Sequence, residues 1–139
     1  MSLDQNKLLV RRLVDEAQVA GRLEVVDELL SEDFVDHTPM EGVPGNREGV
    51  RMLFAALREA FPDLTVDIRE QIAEDDRVVT RKTFRGTHGG GPFLGLPPTG
   101  SPVRFEVVDI LTIRDGRFVE HRAVIDKLNV MQQLGAIPA

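Results

Sequence analysis

Two aspartates occupy positions where a carboxylate could act as an acid or a base. Asp109 lies among apolar residues on one face of a predicted strand, and a carboxylate there needs either a charged partner or a function. An ion pair or hydrogen bond with Arg81 or Arg122 is the structural alternative. Asp126 ends the last predicted strand. It could remove a proton next to a carbonyl group in a dry pocket, or it could cap the final helix.

The chain has three histidines, and their spacing matches no metal-binding motif. We therefore predict no metal site. His88 lies where a strand meets a glycine-rich loop, so it could donate a proton or hydrogen bond to a developing oxyanion. A hydrogen bond to the loop backbone is the alternative. His37 lies just before a proline, and we predict that it contacts substrate at the rim of a pocket.

Alternation along the last strand determines which of its polar residues can face the pocket. Side chains of a regular strand point alternately to opposite faces, so His121 and Asp126 can share a pocket only if a bulge lies between them. We predict that Arg122 and Asp126 point inward and that His121 lies on the outer face or at an interface. Arg122 would then orient a substrate, since a guanidinium can hold a carboxylate through two hydrogen bonds.

Aromatic residues and a glycine run complete the candidate site. Phe34 and Phe54 fall in the predicted core, and we expect them to line the substrate cavity as well. The run Gly89–Gly91 follows a strand but opens no helix, so it is not a phosphate-binding loop. Prolines follow it in the sequence. The pattern is typical of a mobile flap over a pocket.

The composition excludes several classes of protein. The 139 residues, 42% hydrophobic and 29% charged, suit one globular domain. A net charge of −6 disfavours nucleic acid as a partner. The absence of cysteine excludes a disulfide scaffold and a thiolate site. No apolar run is long enough to cross a membrane, and charged residues interrupt the N-terminus where a signal peptide would be apolar. We predict a cytoplasmic protein.

Helical patterns come first along the chain and strand patterns follow. Apolar residues recur at helical spacing in three N-terminal segments, and Asp4 and Asn46 are predicted N-caps. The period then changes to two and predicts four strands, the last two joined by a turn at Asp115-Gly116. A short C-terminal helix is predicted to end at Gly135.

This order of elements predicts an α+β fold. We expect a curved antiparallel sheet to wrap around the N-terminal helices and form a cone with an internal pocket, all in one domain of residues 1–139. The outer face of the sheet also carries apolar residues. A second copy of the chain is the simplest cover for that face, so we predict a homodimer.

A series of short motifs resembles the SnoaL-like polyketide cyclases, also called ester cyclases. That family belongs to the nuclear-transport-factor-like cone folds, which include ketosteroid isomerase and scytalone dehydratase. The motifs are Asp33–His37, Ala60–Leu64, Gly86–His88, Leu94–Gly100, Asp115–Arg117, Glu120-His121, Asp126 and Gln133–Gly135.

The resemblance implies an acid–base enzyme that uses neither a metal nor an organic cofactor. Characterised members close a ring by intramolecular aldol condensation on an ester-bearing polyketide. Their acid/base is an acidic residue near the end of the last strand, and Asp126 matches that position. Many relatives have Trp after the Glu-His pair, whereas this chain has Arg122 and contains no Trp or Tyr. An aromatic wall for a flat polycyclic substrate is therefore missing.

Three hypotheses of function follow. In the first, the chain is an enzyme for a small apolar carbonyl compound, with an aldol-type cyclisation or a related isomerisation or dehydration. Asp126 would move the proton, His88 would stabilise the oxygen, and His37, Asp109 and Arg122 would orient the substrate. In the second, the same pocket binds a carboxylate-bearing metabolite without turning it over. The third is a dimerisation module whose pocket is filled by its own side chains.

Overall fold

The computed structural model describes residues 2–138, and in that part of the chain the helices pack on one face of a five-stranded sheet. The first helix continues without a break into a π-helical segment. The helical elements are α1 (Leu3–Arg12), the π-helical segment (Leu13–Val19), α2 (Glu24–Leu29), α3 (Arg47–Ala60) and α4 (Lys127–Gln133).

The sheet has the strand order β1-β5-β4-β3-β2. Strands β2 to β5 form the expected antiparallel meander, and β1 adds to the edge of β5 in parallel. The predicted α+β cone fold is confirmed, with a mixed sheet in place of a wholly antiparallel one. The strands are β1 (Leu30–Asp36), β2 (Thr65–Glu74), β3 (Arg77–Thr87), β4 (Pro102–Arg114) and β5 (Arg117–Ile125).

Short polar residues set the ends of these elements. Ser2, not the predicted Asp4, caps α1 through a capping box with Gln5. Asn46 caps α3 as predicted, because its side chain accepts from the Gly49 amide at 3.0 Å. The Asp115-Gly116 turn between β4 and β5 has positive φ at both residues, 52° and 76°, as a tight two-residue hairpin requires.

Two clusters of buried apolar side chains hold the helices against the sheet. One joins Val14 of the π-helical segment to Leu111 of β4. The other lies where α4 closes the end of the sheet, and it joins Val130 to Phe61 and Phe105. Each large side chain buried in this way contributes about 1.5–3 kcal/mol. The curved sheet keeps a cavity between the two layers, and this cavity positions the candidate site.

Within residues 2–138, no helix covers the outer face of the sheet. Val108 and Val124 are exposed on it, and a row of ion pairs joins Arg81 to Glu70 at 2.7 Å and to Glu106 at 2.9 Å. Among the described residues, no helix is both long enough and apolar enough to cross a membrane.

Candidate active site

The cavity between the helices and the sheet has a volume of about 150 Å³. Its helical wall is apolar except for one glutamine, and its sheet wall carries a group of ionisable side chains. The helical wall consists of Val10, Leu13, Val14, Gln18, Val50, Leu53, Phe54 and Leu57. The polar residues of the sheet wall are Asp36, Thr38, Lys82, Asp109 and His121.

Asp109 is the most deeply buried carboxylate of this wall, with 2% of the residue exposed. Its Oδ2 lies 2.6 Å from Nζ of Lys82, which is itself only 6% exposed. This ion pair is the charged partner that an aspartate on an apolar strand face needs. The predicted partners were wrong, since the cation is Lys82 and not Arg81 or Arg122. Asp109 Oδ1 is buried and has no hydrogen-bond partner within residues 2–138. One oxygen of a carboxylate in the cavity wall is therefore buried and unpaired.

His121 lies between two carboxylates. Its Nδ1 donates to Oδ1 of Asp36 at 3.0 Å, and its Nε2 is 3.9 Å from Oδ2 of Asp109. The Asp36 carboxylate also accepts from the Thr38 amide at 3.0 Å. Thr38 in turn is held by β5, since its hydroxyl oxygen accepts from the Ala123 amide at 2.8 Å. Asp36 therefore fixes the imidazole and leaves its Nε2 turned toward Asp109 and the cavity.

The carboxylates and the imidazole of this wall each stabilise the charged form of the other. Burial alone would lower the pKa of His121, but the carboxylates of Asp109 and Asp36 prevail and the pKa is raised. Burial alone would raise the pKa of Asp109, but the adjacent Lys82 and His121 hold it below its ordinary value. Burial alone would raise the pKa of Asp36 as well, but the hydrogen bond and charge of His121 and the hydrogen bonds from Thr38 together lower it. A carboxylate base and an imidazolium acid thus coexist in one cavity.

These pKa shifts predict how stability depends on pH. The raised pKa of His121 gives stability that is complete below its unfolded value of about 6.5 and is lost as pH rises through the folded pKa. The lowered pKa values of Asp36 and Asp109 give stability that is present above about 3.9 and is lost as pH falls through their folded values. The cluster should stabilise the fold most at about pH 4–6.5. Urea unfolding should show that the free energy of unfolding of wild type falls from pH 6 to pH 9, and that it falls less in His121→Asn. An equal fall in the two proteins would contradict this prediction.

The register of β5 places His121 in the cavity. The pairing with β4 runs Thr112–Glu120 and then Ile113–Phe118, so an extra residue enters β5 at that step. This bulge brings Phe118 and His121 to the same face despite their odd separation. The prediction that Arg122 points inward and His121 outward was therefore wrong: His121 faces the cavity. Arg122 points outward with 52% of its side chain exposed, 3.6 Å from Glu120.

Comparison with known proteins places the chain in a family. The family model for SnoaL-like polyketide cyclases matches residues 8–134. The chain belongs to this family. The nogalonic acid methyl ester cyclase of Streptomyces nogalater is 27% identical over 119 residues, which cover 83% of this chain and 87% of that protein.

Solved structures agree with the family model. TsrD from Streptomyces laurentii has a TM-score of 0.89 at 28% identity, with 99% of both chains covered. A SnoaL-like protein from Jannaschia sp. CCS1 has a TM-score of 0.85 at 34% identity, covering 97% of this chain and 94% of that one. The resemblance drawn from the short motifs is confirmed, and the cone fold is common to these SnoaL-like proteins.

The structure does not place Asp126 at the cavity. Its carboxylate accepts from the Asn129 amide at 3.1 Å and caps α4, and the residue is exposed. Asp126 cannot both cap the helix and transfer a proton, because a carboxylate turned toward the helix amides cannot reach a substrate between the helices and the sheet. The position that resembles the acid/base of SnoaL-like cyclases is a helix cap here.

The remaining two histidines also lie outside the cavity lining. His88 is wholly buried in the loop after β3, where its Nε2 donates to the Gly91 carbonyl at 2.9 Å and its Nδ1 accepts from the Thr99 hydroxyl at 3.2 Å. The backbone-bonded alternative describes it, and it contributes no donor to an oxyanion in the cavity. His37 is half exposed, 3.9 Å from Glu120, beside the cavity residues Asp36 and Thr38.

The two predicted aromatic residues line the cavity, and their contact with a substrate stays a prediction. Two polar residues were overlooked. Phe34 and Phe54 are both buried and line the cavity. Lys82 was not predicted to line the cavity. The period of two puts it on the same strand face as Thr80 and Phe84, so it could have been noticed in the way that Asp109 was. Asp36 was quoted only as part of a motif. Within residues 2–138, no three His, Asp or Glu side chains are grouped so that they could hold a metal ion.

Proposed function

We propose that this chain is a cofactor-independent acid–base enzyme of the cyclase type, with Asp109 as the base. The observation that carries the proposal is the unpaired Oδ1 of Asp109, buried beside a histidine of raised pKa in a cavity whose helical wall is apolar except for Gln18. A buried carboxylate with an unpaired oxygen is costly for the fold. Such an arrangement is expected where the oxygen has a proton to accept.

His121 would serve as the acid in this chemistry. When Asp109 removes a proton from a carbon next to a carbonyl group, negative charge develops on the carbonyl oxygen. The Nε2–H of His121 can donate to that oxygen, because Nδ1 is engaged by Asp36. Asp36 acts as a positioning residue: it sets the orientation of the ring and supports its protonated form. In this proposal Asp109 takes the role predicted for Asp126, and His121 takes the role predicted for His88.

Lys82 keeps Asp109 ionised inside the apolar cavity. Without a neighbouring cation, burial would favour the neutral carboxyl group, which cannot accept a proton. The ammonium group contacts Oδ2 and leaves Oδ1 free. The substrate would be a small carbonyl compound, and the reaction an aldol-type ring closure or a related isomerisation or dehydration. In ring closure the carbanion attacks a second carbonyl carbon of the same molecule, and the new alkoxide takes a proton from His121. The proton held by Asp109 then passes to His121, which lies beside it, and both groups return to their starting forms.

Two observations weaken the other hypotheses. The carboxylate-binding hypothesis rested on an inward Arg122, and that side chain lies on the outer face. The dimerisation module required a pocket filled by its own side chains, whereas the structure has a cavity of about 150 Å³. The cap formed by Asp126 is the arrangement that the binding hypothesis expected, so the acid–base proposal depends on Asp109, His121 and Lys82 in the cavity.

Proton abstraction can be tested without knowing the natural substrate. 2-Tetralone is a small bicyclic ketone with an acidic C1 position between the ring and the carbonyl group. We expect the protein to accelerate exchange of the C1 protons for deuterium in D₂O, followed by NMR, above the rate in buffer alone. Failure to accelerate exchange of 2-tetralone that demonstrably binds would count against the acid–base proposal.

We further propose that the protein is a homodimer through the outer face of the sheet. That face combines exposed Val108 and Val124 with a balanced set of charges, because Glu70 and Glu106 neutralise Arg81. It therefore carries apolar area without repelling a copy of itself.

The dimer predicts a mass in solution of twice the 15.5 kDa of the chain. Val124, with 75% exposed, should be covered by the partner copy, so Val124→Arg should yield the monomer in light scattering after size exclusion. Leu8→Arg is the matched control, since Leu8 is comparably exposed but lies on α1, away from the sheet face. A wild-type monomer, or a dimer that survives Val124→Arg, would contradict the proposal.

A further inference from the structure

The helical wall of the cavity carries a polar side chain that the acid–base chemistry does not use. Gln18 lies in the π-helical segment Leu13–Val19, is 4% exposed and lines the cavity. Every other cavity residue contributed by α1, the π-helical segment and α3 is apolar. π-Helical turns occur frequently at functional sites. The position of Gln18 therefore calls for an explanation that apolar packing does not supply.

The side-chain oxygen of Gln18, Oε1, is buried and has no hydrogen-bond partner within residues 2–138. A buried polar atom without a partner destabilises a fold, because water has been removed and nothing replaces its hydrogen bonds. Gln71 shows the usual arrangement: its amide nitrogen donates to the Lys7 carbonyl at 3.2 Å and lies 3.4 Å from the Thr80 hydroxyl. The unpaired acceptor thus belongs to a residue that lines the space where a ligand would lie.

The two polar regions of the cavity lie on opposite walls. Asp109 and His121 belong to the sheet, whereas Gln18 belongs to the helical layer packed over it. A substrate between the layers would place its reacting carbonyl against the sheet and another part of its ring against the helices. A group that donates a hydrogen bond at that second point would satisfy Oε1.

We propose that Gln18 is a specificity residue that accepts a hydrogen bond from a hydroxyl group of the substrate, remote from the reacting carbonyl. This inference rests on the proposed function, since it takes the ligand to be a small carbonyl compound. It narrows the substrate class to hydroxylated carbonyl compounds. A site with an unpaired acceptor binds a ligand that carries the hydroxyl group more tightly than an analogue that lacks it.

A matched pair of ligands tests the inference. 6-Hydroxy-2-tetralone differs from 2-tetralone only by a hydroxyl group at the far end of the ring system from the carbonyl. By calorimetric titration, wild type should bind the hydroxylated ligand roughly 5–15-fold more tightly. In Gln18→Met this preference should fall to about 1, with the affinity for 2-tetralone changed by less than about 3-fold. The control Gln71→Met should keep the wild-type preference.

Stability provides a second readout. Gln18→Met removes an unpaired buried acceptor and keeps the side-chain length, so the ligand-free variant should melt about 3 °C higher than wild type. Gln71→Met loses hydrogen bonds and should not melt higher. A lower melting temperature for Gln18→Met would show that the amide supports the fold, and would overturn the inference.

The two proposals fail in different ways. An unchanged hydroxyl preference in Gln18→Met, with deuterium exchange of 2-tetralone intact, would overturn the role of Gln18 and leave the acid–base proposal standing. Absent exchange, with the preference present in wild type and lost in Gln18→Met, would overturn the acid–base proposal alone. Failure of wild type to bind either ketone would overturn both.

Discussion

Asp109→Asn should reduce the catalysed exchange of 2-tetralone by about 10²–10⁴-fold, the usual contribution of a positioned base. Asparagine has nearly the same shape as aspartate, so the cavity keeps its volume while the proton acceptor is lost. The measurement is the initial rate of deuterium incorporation at C1, with the affinity for 2-tetralone determined separately. A large fall in rate with little change in affinity would identify loss of the base.

The matched control is the same substitution at the aspartate that resembles the family's acid/base. Asp126 is exposed and caps α4, and asparagine is also a good N-cap. Asp126→Asn should therefore keep both the exchange rate and the stability of wild type. The opposite pattern, with Asp126→Asn inactive and Asp109→Asn active, would refute the assignment of the base.

Asp109→Asn also leaves the ammonium group of Lys82 without its carboxylate, so the variant must be shown to be folded. Lys82→Met/Asp109→Asn removes both charges and gives a second protein without the base. It should be inactive too. Wild-type exchange rates in this folded double variant would contradict the role of Asp109.

Lys82→Met should lower the free energy of unfolding by about 3 kcal/mol or more, because it leaves the Asp109 carboxylate buried without its cation. The pair is almost fully buried and its atoms are 2.6 Å apart. Urea unfolding at pH 7 is the measurement. The loss should shrink below pH 4, where the unpaired carboxyl group can be protonated, since neutral Asp109 is far less costly to bury.

Two companion variants separate this effect from a simple loss of packing. Lys82→Met/Asp109→Leu replaces the buried pair by apolar residues and should recover most or all of the stability. Arg81→Met removes the neighbouring cation on the other face of β3, whose ion pairs are exposed to solvent, and should lose far less. Equal losses at Arg81 and Lys82 would show that the interior pair has no special role.

Much of the fold follows from patterns that are local in the sequence. The helical spacing before β2, the alternation from β2 onward and the Asp115-Gly116 turn each depend on residues close together in the chain. The caps at Asn46 and Asp126 are local too, and the structure contains both. The strand β1 was missed because its pairing partner, β5, is remote in sequence and its own seven residues show no clear alternation of burial.

The candidate site was only partly predictable. Asp109 stood out because a carboxylate on an apolar strand face needs a charged partner or a function. The structure buries it and pairs it with Lys82. The family resemblance pointed instead to Asp126, because a matched position in a motif does not specify the direction of a side chain. His88 was chosen for its place beside a glycine-rich loop, but the same loop supplies the carbonyl that binds it.

The sequence by itself determined the order of helices and strands, the apolar faces that form the core and the presence of a carboxylate on one of them. Only the tertiary structure decided which residues meet around it. The bulge in β5 exists because of its pairing with β4, and it turns His121 inward and Arg122 outward. Asp36 reaches His121 because β1 pairs with β5, 85 residues along the chain. Such contacts depend on strand register, which no short stretch of sequence encodes.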